Sequence, residues 1–282
     1  MTIRLITDSS CNVPESYQQS LGISVVPAWV NFADGASLRN GVDISDAEFY
    51  RRLESEKRAP TTAQPTPQEF AAAIDAVPED EVIIATVSSK LSGTYSSAVQ
   101  AVKLCPHKKV YTYDTLSASM GSAWQIIAGA ELAQQGADAN AILAEMARVR
   151  DNSKVIFVID ILKYLVASGR APVLSALVGS LLSIKPLLEF NDGLLELAGR
   201  VRSRKRSKRE LLHRVVTWAG NRPLRLAVGN ANVPHEAELL AEDVKQHLNV
   251  QELLIVEIGP VLGSLAGPGT LVIAAYAVGE AS

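Results

Sequence analysis

The fold turns on residues 82–95, Val82-Ile83-Ile84-Ala85-Thr86-Val87-Ser88-Ser89-Lys90-Leu91-Ser92-Gly93-Thr94-Tyr95. The apolar run Val82–Ala85 is short, rich in β-branched residues and halts at a hydroxyl-rich turn, which predicts a buried strand. Past the turn, Tyr95, Val99 and Val102 recur at i, i+4 and i+7, which predicts a helix. Ser92 is its expected N-cap. Gly93 and Thr94 would then present free backbone N–H groups at the positive end of the helix dipole. Hydroxyls beside such groups suit phosphate or carboxylate. An ordinary serine cap with nothing bound accounts for the same residues.

The pattern recurs on either side. Ile3-Arg4-Leu5-Ile6 stops at Thr7-Asp8-Ser9-Ser10, and Val110–Tyr113 stops at Asp114-Thr115, with a helix pattern from Ser117 to about Gln135. Repeated strand–turn–helix predicts an open parallel α/β sheet. The turns at Asp8, Ser88/Ser89 and Asp114 would share the edge where such sheets hold ligands. The Pro-punctuated segment Ala59–Gln68 leads into a helix Gln68–Ile74, with Thr66 as cap and Pro67 opening it. Its threonines offer hydroxyls to an anion, and a plain rigid turn explains them as well.

The texture changes near residue 155. Val155–Val158 reads as a strand, Ile161–Ala167 as a short helix ended by Ser168-Gly169, and Ser175–Leu182 as another helix. Leu187–Phe190 and Leu194–Leu197 read as a hairpin reversing at Asp192-Gly193. A helix of about fifteen residues follows Arg204. Strand Leu224–Val228, helix Pro234–Leu248 and strands Leu253–Ile258 and Thr270–Val278 complete the chain. We expect an α/β protein of two domains: residues 1–155, a parallel sheet flanked by helices, and residues 156–282, a mixed sheet with helices.

Composition narrows the function classes. Of 282 residues, 48% are apolar and 20% charged, which suits a globular core and excludes a disordered chain. The net charge of −3 calls for neither nucleic acid nor an anionic membrane. The two cysteines, Cys11 and Cys105, cannot build a disulfide framework, and the four scattered histidines give no metal-ligand spacing. No apolar run approaches the roughly 18 residues of a membrane span, and Ile3–Ile6 is too short for a signal peptide. The expected compartment is the cytoplasm.

Catalytic patterns are missing. Ser180 to Lys185 is Ser-x-x-x-x-Lys, no Gly-x-Ser-x-Gly elbow occurs, and no Gly-x-Gly-x-x-Gly follows the first strand. The glycines of Gly263–Gly269 lack a Walker lysine. Arg170 sits on a turn where it would pair with an anion or simply face water. Arg200–Arg209 is the one strong basic block. With no aromatic interleaved for base stacking, it suits a solvated helix face or an acidic protein partner better than nucleic acid.

Taken in order, these segments resemble the DegV family. The resemblance runs through Ile6-Thr7-Asp8-Ser9-Ser10, Val25-Val26-Pro27, Thr62-Ala63-Gln64-Pro65, Ser88–Tyr95 and Asp114–Gly121. It continues in Leu162–Leu165 with Gly169-Arg170, in Ile184-Lys185-Pro186 and in Gly259–Gly269. The family implies two α/β domains with one long-chain fatty acid in a tunnel between them. It implies no catalytic residues, no metal and no cofactor, and a role as the binding subunit that presents the carboxylate to a fatty acid kinase subunit. By position, Thr62, Ser92, Gly93 and Arg170 are the implied carboxylate ligands. Arg202, with Arg204, Arg206 and Arg209, matches the region linked to partner docking; membrane contact would be transient at most. Ala63 stands where the family usually has Ser, and Gly263-Ser264-Leu265 where a common pattern is Gly-Thr-His.

A fatty acid is also physically reasonable. Burying ~14 methylenes gains on the order of 11 kcal/mol before the costs of ordering and association. The rival reading is an enzyme acting on a small anionic or phosphorylated substrate at Ser92-Gly93-Thr94, with Asp8 or Asp114 as acid or base.

Overall fold

Runs buried on both faces become the central strands of a parallel sheet, and Leu5–Ile6 and Val82–Ala85 do so here. The computed structural model describes residues 3–56, 58–171 and 184–279. In chain order the elements are β1 (Arg4–Asp8), a 3-10 turn (Ser9–Cys11), α1 (Glu15–Leu21), β2 (Ser24–Val26), β3 (Trp29–Asn31) and β4 (Ser37–Arg39). Then come α2 (Asp46–Ser55), β5 (Thr61–Ala63), α3 (Pro67–Ala76), β6 (Glu81–Thr86), α4 (Thr94–Val102), β7 (Lys109–Asp114), α5 (Met120–Gln134) and α6 (Ala139–Asp151). After these follow β8 (Ser153–Val158), α7 (Leu162–Ser168), β9 (Lys185–Asn191), β10 (Leu194–Val201), α8 (Arg204–Ala219) and β11 (Leu224–Asn230). The last are α9 (Pro234–His247), β12 (Val250–Glu257), α10 (Pro260–Ala266) and β13 (Leu271–Ala277).

The first sheet has order β2-β1-β6-β7 and is parallel throughout. The second has order β10-β9-β8-β13-β11-β12 and is mixed: β11 and β12 run parallel, and the other neighbours antiparallel. This is the expected α/β architecture. The texture change at residue 155 falls within β8, which pairs with β9 and β13. A small sheet, β4-β3-β5, has three-residue strands too short to leave a pattern in the sequence.

Helix α5 lies between the two large sheets. Twelve of its fifteen residues are buried, as expected of a helix that is apolar all round. Trp124 Nε1 donates to Ala274 O of β13 at 3.1 Å, while Met120 and Ile127 share one core with Leu5, Ile83 and Val272. Gly121 permits close approach to β8: a Cβ there would lie 2.5 Å from Val155 Cγ2.

Two expectations are corrected by tertiary contacts. Helix α5 begins at Met120 rather than Ser117, because Ser117 O accepts from Ser88 N and Ser119 N donates to Ser10 O. These contacts hold Leu116 and Ser119 at positive φ (49° and 51°), outside helical geometry. Helix α4 is capped by Gly93, not Ser92. The helix expected over Ser175–Leu182 lies outside the described residues. The Asp192-Gly193 reversal is as read, with φ of 44° and 78°, and Gly169 ends α7 at φ 70°.

Candidate ligand-binding site

The chain leaves β1 for β2 on one side and later adds β6 on the other, so the β1/β6 border is a topological switch point, the usual ligand crevice. Asp8 clamps it. Its carboxylate accepts from Ser10 N (2.8 Å) and Val87 N (2.9 Å), and Cys11 Sγ lies 3.7 Å away. Burial pushes the Asp8 carboxyl above its ordinary pKa, against those hydrogen bonds. Asp114 accepts from Ser89 N (3.2 Å) and Leu116 N (3.0 Å). Both carboxylates are engaged with backbone, and neither is among the residues lining the cavity above them.

That cavity contains about 880 Å³ of space free of atoms, counting its mouth. One wall is the face of the mixed sheet, where Val155, Phe157 and Ile159 alternate along and just past β8, beside Val272 and Phe190. Alternation is the strand's own period, so every second residue of this segment points inward. Helix α10 supplies Val261, Leu262 and Leu265, α7 supplies Leu165, and the parallel sheet's turns supply Val87 and Leu91. The apolar lining with a few polar groups at one end is that of a small-molecule site.

Its mouth is polar. An adjoining space of about 680 Å³ is lined by Ser10, Thr62, Ser92, Gly93, Thr94 and Arg170, among others. Thus all four residues implied for the carboxylate come together, from β5, the turn after β6 and the turn after α7. Ser92 Oγ lies 2.8 Å from Thr94 Oγ1 and accepts from Thr94 N at 3.3 Å. The Gln64 side chain packs on Gly93, where a Cβ would lie 2.4 Å from Gln64 Oε1. It is held by a 3.0 Å bond from Gln64 Nε2 to Ser97 Oγ. Arg170 Nη1 donates to Ser168 O at 2.5 Å, folding the side chain over its own turn.

Reading the sequence missed Gln64 and Ser119 as lining groups, although both lie inside motifs already quoted. Ser119 sits at φ 51°, ψ −143°, a conformation seldom adopted by serine, and no local sequence signal marks it. Ala63 also lines the mouth, and Leu265 presents an apolar side chain to the cavity.

The basic block divides. Arg202, Arg206 and Arg209 are exposed. Arg204 is partly buried and engaged, with Nη1 3.6 Å from Asp160 and Nε 3.0 Å from Glu236, which also meets Lys208 at 2.8 Å. The first turn of α8 carries no acid, so its cations oppose the helix dipole. Among the described residues no cluster of three or more His, Cys, Asp and Glu is placed to hold a metal, and no helix is long and apolar enough to cross a membrane.

Comparison with known proteins follows the same lines. The family model described as uncharacterised protein, DegV family, matches residues 2–278. A DegV domain-containing protein of Listeria innocua is 32% identical over 273 residues, covering 95% of this chain and 96% of the relative. Among solved structures, a fatty-acid-binding DegV family protein from Thermus thermophilus is similar at TM-score 0.88 and 34% identity, over 99% of this chain and 100% of that one. DegV of Bacillus subtilis, a fatty acid binding protein, is similar at TM-score 0.88 and 28% identity, over 99% and 100%.

Proposed function

The chain belongs to the DegV family, and from that premise we propose that it binds one long-chain fatty acid between its two sheets. The observation that carries the reading is the cavity itself: an apolar sleeve ending at a mouth that gathers Thr62, Ser92, Gly93 and Arg170. In this reading the acyl chain lies along the β8 face. The carboxylate takes hydrogen bonds from the two hydroxyls and the Gly93 N–H, with Arg170 as counter-charge. Such charge-assisted bonds are about twice as strong as neutral ones. The solved relatives described as fatty-acid binders support it, as does the engagement of Asp8 and Asp114 with backbone rather than with the cavity.

Native mass spectrometry and solvent extraction of the purified protein test the reading. A co-purifying acyl ligand, or stoichiometric uptake of added fatty acid, is expected; neither appearing sinks it. A fatty acid should bind roughly 10- to 100-fold tighter than the alcohol of equal length, and Arg170→Ala with Ser92→Ala should erase most of that preference.

The further step in this reading is presentation of the carboxylate to a kinase subunit, with Arg202, Arg206 and Arg209 as the docking cations. Leu265 offers the carboxylate no hydrogen bond from the position where kinase-linked relatives commonly have His. Loaded protein mixed with a kinase subunit and ATP is expected to yield acyl-phosphate, faster for Leu265→His. No product from either leaves binding as the whole role.

A further inference from the structure

Two separate spaces meet at one aromatic side chain. Ile159 shares a cluster with Ala171, next to Arg170 of the mouth, so Phe157 and Val155 follow along β8 at increasing distance from Arg170. At the rise of a strand, Ile159 and Val155 are roughly 13 Å apart. At the end of this run away from Arg170, Val155 and Phe190 line the cavity on one side. On the other they line a crevice of about 940 Å³ that is bounded by Arg150, Lys154 and Gly193, among others.

Phe190 is well held. It stands opposite Leu195 across the β9–β10 ladder, and its ring leans on Phe157 with centroids 6.0 Å apart and planes at 45°. The turn just beyond it is latched to the parallel sheet, with Ser88 Oγ donating to Gly193 O at 2.8 Å. Lys90 also pairs with Asp192 there. The crevice behind the ring is charged: Arg150 meets Asp151 at 3.0 Å, and Lys154 pairs with Glu189. The ring therefore separates an apolar sleeve from a polar surface where a methyl terminus gains nothing.

We propose that Phe190, backed by Val155, is the stop that sets the longest acyl chain the cavity accepts. The proposal rests on the fatty-acid reading above and adds the residue that selects among chain lengths.

The test is competition binding with saturated fatty acids from about 12 to about 22 carbons, where each buried methylene adds about fourfold in affinity. For the wild-type protein, affinity should climb with length and then fall at a limit. In Phe190→Ala the limit should move up by several carbons, and chains just past the wild-type limit should gain at least about tenfold. Phe190→Leu should move it less. Ile159→Ala, in the same wall nearer the mouth, should weaken all lengths alike and leave the limit in place. A limit unmoved in folded Phe190→Ala, or moved equally by Ile159→Ala, overturns the proposal. Where Phe190→Ala does not fold, Val155→Phe narrows the same place and should shorten the limit; an unchanged limit there overturns it as well. Wild-type protein that binds no fatty acid of any length is a different result, which overturns the fatty-acid reading itself and the proposal with it.

Discussion

At the scale of residues, Asp8 and Asp46 show how burial sets what a carboxylate does. Asp8 is fully buried and joins the end of β1 to the turn after β6 through two backbone N–H groups. Asp8→Ala strands both donors, at about 1–3 kcal/mol each. Chemical denaturation should therefore show a loss of roughly 2–6 kcal/mol, and a loss under ~1 kcal/mol would remove Asp8 from that role. Asp46 is pushed up to about 6 by burial and by neighbouring Glu257. The folded chain thus holds this proton more tightly than the unfolded one. The resulting destabilisation is absent below the ordinary value of 3.8, grows as pH rises to about 6, and is complete above. Asp46→Asn should stabilise the protein by about 1 kcal/mol near pH 8, after solvent screening and the lost helix-dipole term, and hardly at all near pH 4. An equal effect at both pH values would contradict this. Local rules made Ser92 a cap, yet the cap is Gly93, on which Gln64 packs from the end of β5 while bonded to Ser97 of α4, a contact that the letters around Ser92 do not announce.

At the scale of elements, legibility followed strand length and turn chemistry. The β9–β10 hairpin could be read from its letters because Asp192 and Gly193 both sit at positive φ, the requirement of a tight two-residue reversal. The three-stranded sheet could not, since three residues hold no period. The start of α5 could not either, because a hydrogen bond from Ser119 N to Ser10 O and one from Ser88 N to Ser117 O override a helical pattern. Helix α8 shows a local rule broken outright. Ser203 caps it and accepts from Arg206 N at 3.3 Å, so Arg206 occupies the place where a capping box has Glu. Arg206→Glu should raise stability by about 0.3–1 kcal/mol, read as a small rise in melting temperature. On the kinase-docking reading proposed above, it should at the same time weaken docking to an acidic partner, read as slower acyl-phosphate formation. A fall in stability would show that the arginine is there for the helix.

At the scale of the molecule, one core runs from Leu5 and Ile83 through α5 to Ala227, Val272 and Tyr276. Unfolding should be a single transition for probes far apart, since Trp29, Trp124 and Trp218 lie in the small sheet, the central helix and α8. Tryptophan fluorescence and far-ultraviolet circular dichroism should give the same midpoint, and a split would mean that the sheets unfold separately. Fatty acid at a hundred times its Kd should stabilise the folded state by about 2.7 kcal/mol, with the midpoint moving accordingly. The two sheets could be anticipated from periodicity. That they face each other across a cavity could not, because periodicity describes one element at a time. The cavity is built from two kinds of material. Its mouth is made largely of the turns after β6 and α7, which tolerate insertion and deletion, with Thr62 and Ala63 of β5 beside them. Its sleeve is made mostly of positions inside strands and helices, alternate along β8 and grouped on α10, which change only by substitution within a fixed frame. In the fatty-acid reading, head and tail recognition are thereby free to diverge independently, so gene duplicates can inherit one mouth and evolve a repertoire of tails.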